Sequence, residues 1–263
     1  MKHMRLYMCQ TGIQVCQVHN IKMNQGLGEE MEIPIPWFIF EHPEGLVVVD
    51  GGLAAEGLAH PLDYWGPSVN VFRPVMLEHE GCVRQLSALG FKSEDVRYVV
   101  LSHLHSDHTG AAGRFPNATH IVQRREYDYA FAPDWFAAGA YVRCDFDRPD
   151  IKWQFLEGEA TDDFDLFGDG SFRVVFTPGH SVGHQSFLVK IPHCRPMLLA
   201  IDAVYTMDHW NEKALPGFLT STVDTVRSVR KLKAVAEREN AMLVPGHDPD
   251  TWSSFKHVPD FYG

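Results

Sequence analysis

Four apolar segments of this chain each run into a histidine or an aspartate, and this arrangement constrains the fold more than any other feature. "YVVLS" is followed by His103, "RVVFTPG" by His180, "MLLAI" by Asp202 and "MLVPG" by His247. Such continuous apolar runs are typical of strands that are buried on both faces. Because strand ends are rigid and the loops after them are exposed, side chains at these positions can converge on one site.

The distribution of apolar residues predicts a layered α/β protein. Strands are predicted at residues 37–42, 45–52, 96–103, 118–123, 172–180, 185–191, 197–203 and 241–248. Helices are predicted at 81–90, which stops at Gly90, and at 221–240, where Ser221 and Asp224 resemble a capping box. Since strands and helices interleave, we expect helices outside packed sheets. We expect one domain over residues 1–263, with two similar halves that meet near residue 150.

Composition and charge disfavour several classes of partner. Hydrophobic residues make up 45% of the 263 residues and charged residues 22%, as in ordinary globular proteins. The formal net charge of −11 disfavours nucleic acid and anionic membranes, because phosphate binding needs a basic face. The sequence has no apolar run of roughly 20 residues and no secretory signal, so we expect a cytoplasmic protein. The five cysteines are scattered without a CxxC pair, which favours free thiols over disulfides or a thiolate metal site.

A dense cluster of histidines, HxHxDH at residues 103–108, predicts a metal site. A solvated turn would use Asn, Gly, Asp and Ser, whereas imidazole nitrogen and carboxylate oxygen are ligands of zinc. A set of five histidines and two aspartates with no cysteine fits borderline metals such as zinc and leaves cobalt, manganese and iron open. With the other strand-end residues included, the predicted ligands are His103, His105, Asp107, His108, His180, Asp202 and His247.

The order of these motifs resembles that of the metallo-β-lactamase superfamily: HxHxDH, then TPGH, then a strand-end aspartate, then a late strand-end histidine. The resemblance implies a four-layer αβ/βα sandwich that binds two divalent metal ions, expected to be zinc, at one edge of its sheets. The implied ligands are His103, His105 and His180 for one ion and Asp107, His108 and His247 for the other, with Asp202 bridging.

Longer stretches narrow the resemblance to the quorum-quenching N-acyl homoserine lactonases, one of which also opens γ-butyrolactone. The similar segments are "HNIKMNQG" (19–26), "SHLHSDHTGAAGRFPNA" (102–118), "TPGHSVGHQSFLV" (177–189), "IDAVYT" (201–206) and "GHDPD" (246–250), and the likeness covers essentially the whole chain. The resemblance implies that a hydroxide shared by two metal ions attacks the ester carbonyl of a lactone ring. Likeness to relatives is also consistent with a homodimer.

Several further residues have expected roles at this site. By resemblance, Tyr205 hydrogen-bonds the lactone carbonyl or the tetrahedral oxyanion; the alternative is a packed aromatic ring with a satisfied hydroxyl. Asp107 is expected to carry a proton to the leaving oxygen, a role that competes with metal binding. Asp50 either orients a ligand imidazole or is an ordinary turn residue, and His184 is expected to be structural or to support a ligand from behind rather than to bind metal. Ser106 replaces a larger apolar residue of some acyl homoserine lactonases, which leaves the acyl-chain preference open.

Other functions stay open from the sequence alone. The main alternative is another dinuclear metallohydrolase of the same fold, similar to 4-pyridoxolactonase or acting on a phosphodiester or thioester. A class B β-lactamase would normally have a cysteine ligand, and none of the five cysteines here stands at a ligand position. A tRNA-processing nuclease would carry a basic surface, whereas this chain is acidic. A non-catalytic binding protein is disfavoured, because degenerate members of the superfamily lose ligands and all seven positions are occupied here.

Overall fold

Two β-sheets packed face to face form the centre of the molecule, with helices on both outer surfaces. The structure is a computed structural model, and it describes residues 4–263. The strands are β1 (Arg5–Gln17), β2 (Glu30–His42), β3 (Gly45–Val49), β4 (Phe72–Val75), β5 (Val96–Val100), β6 (Thr119–Gln123), β7 (Lys152–Leu156), β8 (Phe164–Asp165), β9 (Phe172–Phe176), β10 (Gln185–Val189), β11 (Met197–Ile201) and β12 (Met242–Pro245).

The α-helices are α1 (Val18–Ile21), α2 (Pro61–Trp65), α3 (Cys82–Ala88), α4 (Arg124–Phe131), α5 (Arg143–Phe146), α6 (Met207–Trp210), α7 (Thr222–Glu239) and α8 (Pro249–Trp252). Short 3₁₀ helices lie in the connections, at Ala55–Leu58, Gly66–Asn70, Glu78–Glu80, Ser93–Asp95, Thr109–Ala111, Ala138–Ala140 and Gly158–Thr161. Within residues 4–263, no helix combines the length and the apolar character that crossing a bilayer requires.

The two sheets are formed by consecutive parts of the chain. The first has the strand order β4-β1-β2-β3-β5-β6-β7, and β3, β5, β6 and β7 are parallel neighbours. The second has the order β12-β11-β10-β9-β8, in which only the β11–β12 pair is parallel. The first sheet ends at Leu156 and the second begins at Phe164. That the chain is one domain of two similar halves stays a prediction.

Three layers of apolar contact hold the sheets and helices together. Between the sheets, Phe38 and Phe40 on β2 belong to one buried cluster with Phe172 on β9 and Phe187 on β10. Alternate residues of each strand point to opposite faces, so the neighbouring residues of β2, including Ile39, pack on the outer side with α3 and α4.

The outer face of the second sheet is covered by α7. Val229, Leu232 and Val235 lie on one stripe of this helix and are buried against Leu188 of β10 and Leu198 of β11. With helices outside both sheets, the predicted αβ/βα four-layer sandwich is confirmed.

Every strand predicted from the sequence is present, but the segments that lead into polar residues are shorter. β5 ends at Val100 rather than 103, β9 at Phe176 rather than 180, and β12 at Pro245 rather than 248. The chain leaves the sheet there to form the loops that carry the polar side chains. The long predicted helix is also confirmed, and the side chain of Ser221 caps it by accepting a hydrogen bond from the backbone N–H of Asp224.

The strand β1, one of the two longest, is not predicted from the sequence. Glutamines interrupt its apolar pattern, and two of them point into the protein. The Oε1 atom of Gln10 accepts a hydrogen bond from the indole N–H of Trp252 at 2.6 Å, and Gln14 is only 5% exposed. In the sequence, an inward polar residue of this kind interrupts the apolar pattern by which a strand is predicted, whether it is hydrogen-bonded inside the protein or lines a cavity.

Candidate metal centre and active site

The loops after β5 and β9 bring three imidazoles into contact. Nε2 of His103 lies 2.9 Å from Nδ1 of His105, and Nε2 of His180 lies 3.1 Å and 2.9 Å from the same two atoms. A neutral imidazole carries one N–H, and tetrahedral zinc with Zn–N bonds near 2.0–2.1 Å would hold its ligand nitrogens about 3.3 Å apart. The spacing of these nitrogens therefore suits a shared metal ion.

A second group of potential ligands lies beside the first. Nε2 of His108 is 3.7 Å from one oxygen of Asp107, and Nε2 of His247 is 3.8 Å from the other. The donor atoms of these three residues all lie within 4.8 Å of one another. Nε2 of His108 is buried and has no hydrogen-bond partner among the described residues, which an ion at this position would supply.

The carboxylate of Asp202 lies between the two groups. Its Oδ2 atom is 3.3 Å from Nε2 of His180 and 3.9 Å from Nε2 of His103. Its Oδ1 atom is 3.2 Å from Nε2 of His247 and 3.4 Å from Nε2 of His108. Each oxygen faces one group, which is the arrangement a bridging carboxylate needs. The donor set of imidazole and carboxylate, with no thiol, fits divalent ions such as zinc.

Asp50 and Ser102 orient two of the imidazoles from behind. Asp50 accepts hydrogen bonds from the backbone N–H and the hydroxyl of Ser102, at 2.6 Å and 2.9 Å, and its Oδ2 atom lies 2.9 Å from Nδ1 of His108. The Ser102 hydroxyl is also 2.9 Å from Nδ1 of His103. Asp50 is at a turn as well, with φ +64°, so both roles expected from the sequence apply to the same residue.

Backbone carbonyl oxygens fix which ring nitrogen carries the proton in His247 and His180. Nδ1 of His247 lies 2.9 Å from the carbonyl oxygen of Pro34, and Nδ1 of His180 lies 3.3 Å from that of Phe218. A carbonyl oxygen only accepts, so each Nδ1 is the donor and each Nε2 presents a lone pair to the centre. Hydrogen bonds of this kind fix the tautomer of metal-binding histidines.

Glycines allow the loop after β5 to pack against the turn after β3. The N–H of Gly110 donates to the carbonyl oxygen of Gly52 at 2.7 Å, and the N–H of Ala111 donates to that of Asp50 at 3.3 Å. A Cβ atom at position 110 would lie 2.3 Å from the carbonyl oxygen of Gly51, which no side chain tolerates. This contact places Asp50 behind the histidine cluster.

Ile201 brings Asp202 out of β11 by an unusual backbone conformation. Its φ is +49°, a region that costs a β-branched residue on the order of 1–3 kcal/mol. The residue after it is held in place, since the N–H of Asp202 donates to Nε2 of His184 at 3.1 Å. Nδ1 of His184 faces Thr177 at 2.9 Å, so both of its ring nitrogens are engaged within the protein, as its expected structural role requires.

Glu126, a fully buried carboxylate on α4, is a further residue of the site that the sequence does not predict. It accepts hydrogen bonds from the backbone N–H of Leu104 at 3.1 Å, from that of Gly183 at 2.9 Å and from the hydroxyl of Tyr141 at 3.1 Å. Glu126 thus ties the loop after β5 to the loop after β9. Next to Arg125 and Asp128 it resembles an exposed helix residue, so the sequence carries no signal for this role.

The pKa values of the histidines divide the site into two parts. Burial is the main cause that lowers the pKa of the imidazoles in the first group, His103, His105 and His180. Burial acts in the same direction on His108 and His247, but the carboxylates of Asp202 and Asp107, joined at His108 by Asp50, together outweigh it and raise the pKa of both. The first group therefore offers neutral lone pairs, and the second lies in a field of negative charge that favours a cation.

A cavity of about 400 Å³ opens onto these groups. Its polar end is formed by His105, Asp107, His180, Asp202, Tyr205 and His247. Apolar side chains form most of its wall, among them Ile21, Ile33, Phe72, Phe136 and Phe218. Such a cavity, apolar with a few convergent polar groups, is typical of a small-molecule site.

The hydroxyl of Tyr205 lines the cavity 3.0 Å from Nδ1 of His180. Because that nitrogen is the donor, the tyrosine oxygen accepts, and its own proton makes only a long hydrogen bond, to the carbonyl oxygen of Phe218 at 3.5 Å, which a ligand in the cavity could replace. Burial, together with the charges of Asp202 and Asp107, raises the pKa of Tyr205 well above its usual value. The phenol therefore stays protonated and can donate to a ligand.

Comparisons with known proteins agree with this geometry. The family model of the metallo-β-lactamase superfamily matches residues 32–247. The chain is 61% identical to the N-acyl homoserine lactonase AttM of Azorhizobium caulinodans and 60% identical to AttM of Agrobacterium fabrum, over 100% of each chain.

Solved structures are similar over the same length. The chain superposes with a TM-score of 0.88 on an N-acyl homoserine lactone hydrolase that has the product N-hexanoyl-L-homoserine bound at its catalytic metal centre; the two are 27% identical, over 100% of both chains. It superposes equally well, with a TM-score of 0.88 and 27% identity over 100% of both chains, on a mutant of AiiA from Bacillus thuringiensis with N-decanoyl-L-homoserine at the active site.

Proposed function

Because the chain belongs to the metallo-β-lactamase superfamily, and within it to the N-acyl homoserine lactonases, we propose that it is a metal-dependent hydrolase that opens the ester ring of lactones. The proposed substrates are N-acyl homoserine lactones and γ-butyrolactone. The observation that carries the proposal is the position of Asp202 between two groups of potential ligands at the base of a cavity of about 400 Å³.

The fold and the cluster of histidines and aspartates imply divalent metal ions, and we propose two zinc ions per chain. The proposed ligands are His103, His105 and His180 for one ion, Asp107, His108 and His247 for the other, and Asp202 for both. When bound, the ions would polarise the lactone carbonyl and lower the pKa of a water molecule towards neutrality.

The protein's own side chains supply the remaining roles. Tyr205 would exchange its long hydrogen bond to the carbonyl oxygen of Phe218 for one to the carbonyl oxygen of the lactone and to the oxyanion that develops there. Asp107 is the more exposed of the two central carboxylates, with 17% of its side chain exposed against 3% for Asp202. It would therefore be the one that carries a proton to the leaving ring oxygen. The apolar wall of the cavity would contact the acyl chain.

The test is a substrate panel with the metal-loaded protein. Ring opening releases a carboxylic acid, so we expect N-hexanoyl homoserine lactone and γ-butyrolactone to acidify a weakly buffered solution with an indicator. His103→Ala should abolish this signal, and His79→Ala, which changes an exposed histidine, should leave it intact. Turnover of a phosphodiester or thioester, with no lactone opened, would refute the proposal.

A further inference from the structure

Gln14 is a polar side chain in the wall of the cavity that the site as described so far does not use. Gln14 lies on β1, is 5% exposed and lines the cavity. Its side-chain amide makes no hydrogen bond to any residue in the part of the chain that the structure describes. By contrast, Ser68 in the same wall is satisfied, because its hydroxyl donates to the carbonyl oxygen of Trp65 at 2.7 Å.

The amide of Gln14 is available to a ligand. A glutamine side chain has one acceptor oxygen and two N–H donors, and in Gln14 both polar atoms keep some contact with solvent. Its neighbour on β2 is apolar: Gln14 pairs with Ile33, which also lines the cavity. The exposed part of Gln14 faces the cavity, so a ligand bound in the cavity can form the hydrogen bonds that the amide does not form within the protein.

The position of Gln14 on β1 places it near the reacting end of the cavity. Side chains of residues 14 and 16 point to the same face of a strand, and Cys16 belongs to the buried cluster that contains Tyr205. Burial, with the nearby charge of Asp107, raises the pKa of Cys16 to about 12. Gln14 therefore lies on the strand face that looks towards Tyr205 and Asp107, along the wall rather than among the potential ligands.

Building on the proposed lactonase function, we propose that Gln14 recognises the amide that joins the acyl chain to the lactone ring. That amide presents one N–H and one C=O, and the side chain of Gln14 presents the complementary C=O and N–H. A neutral glutamine suits a neutral amide, and it would leave a charged ligand group uncompensated. Gln14 would thus distinguish N-acyl homoserine lactones from γ-butyrolactone, which has the ring and lacks the amide.

The test compares two substrates in one variant. Gln14→Met keeps the length of the side chain and removes its hydrogen-bonding groups. We expect kcat/KM for N-hexanoyl homoserine lactone to fall roughly 3- to 10-fold, the worth of one or two neutral hydrogen bonds. For γ-butyrolactone kcat/KM should stay within about twofold, since it makes no contact with Gln14. The matched control is Gln17→Leu, a change at the exposed end of the same strand, which should alter neither.

Each other outcome has a distinct meaning. Equal loss on both substrates, no loss on either, or a wild-type protein that opens only γ-butyrolactone would overturn the role of Gln14 and leave the lactonase function standing. A wild-type protein that opens neither lactone would refute the proposed function itself. If Gln14→Met does not fold, Gln14→Asn, which keeps an amide of shorter reach, decides by the same comparison of substrates.

Discussion

At the scale of single residues, the site is organised by groups that contact the imidazoles on their Nδ1 side. Asp50, Ser102 and the carbonyl oxygens of Pro34 and Phe218 lie behind the imidazoles and set their protonation. Because the Nδ1 atom of His180 must donate, the hydroxyl of Tyr205 accepts there, and its own proton makes only a long hydrogen bond to Phe218 that a ligand could replace. The direction of the hydrogen bond between His180 and Tyr205 therefore couples a proposed metal ligand to the group proposed to stabilise the oxyanion.

Replacing Tyr205 by phenylalanine tests this link. Loss of one donor to an oxyanion typically lowers kcat by about 10²–10³-fold, and we expect a fall of that order on N-hexanoyl homoserine lactone. Metal content, measured by plasma mass spectrometry, should be unchanged, because Nδ1 of His180 still donates to Phe218. Tyr98→Phe, a change on β5 away from the cavity, is the control. Loss of metal in Tyr205→Phe would instead assign the hydroxyl to positioning His180.

At the scale of elements, contacts between the loops after the strands set the positions of the potential ligands. The loop after β5 and the loop after β9 are separate in sequence, and Glu126 of α4 joins them through Leu104 and Gly183. Gly183 has no room for a side chain, since a Cβ atom there would lie 2.5 Å from the Cβ atom of Glu126. The helix therefore acts as a clamp on the backbone that holds His103, His105 and His180.

Substituting Glu126 by glutamine would turn one accepting oxygen into an N–H₂ group that faces a backbone N–H. We expect the free energy of unfolding to fall by about 1–3 kcal/mol, measured by urea denaturation, and metal affinity to weaken because the two loops separate. Glu157→Gln, at a residue with 53% of its side chain exposed, should change stability by less than about 0.5 kcal/mol. Unchanged stability and affinity in Glu126→Gln would show that the clamp is unnecessary.

At the scale of the whole molecule, the potential ligands join both sheets. His103 to His108 follow the first sheet, whereas His180, Asp202 and His247 follow strands of the second. Ions bound here would cross-link the two halves of the sandwich, and an ion that binds only the folded state stabilises it by mass action.

Removal of metal should therefore weaken the whole fold. We expect a chelator to lower the melting temperature by more than about 5 °C, given a stabilisation of several kcal/mol, and added Zn²⁺ to restore it. Metal analysis should give about two ions per chain, and fewer than one for His103→Ala. An identical melting temperature with and without chelator, in protein shown to have lost its metal, would contradict the cross-linking role.

The sequence by itself determined which residues could act as ligands. Imidazole and carboxylate groups were recognisable as HxHxDH and at three later strand ends because donor chemistry belongs to the residue type, and apolar runs with Pro-Gly bends locate strand ends locally. The layered α/β class and the helix capped by Ser221 were equally readable, since both rest on periodicity within one segment.

Only the tertiary structure decided how these residues meet. Asp50 reaches His108 across 58 positions, and Glu126 reaches Gly183 across 57, so no local pattern reports either contact. β1 was missed because its inward glutamines, Gln10 and Gln14, read as polar breaks until their surroundings are known. Burial and distance are properties of the packed chain. They decide whether a carboxylate or an amide is a surface residue, joins two loops as Glu126 does, or faces a ligand as proposed for Gln14.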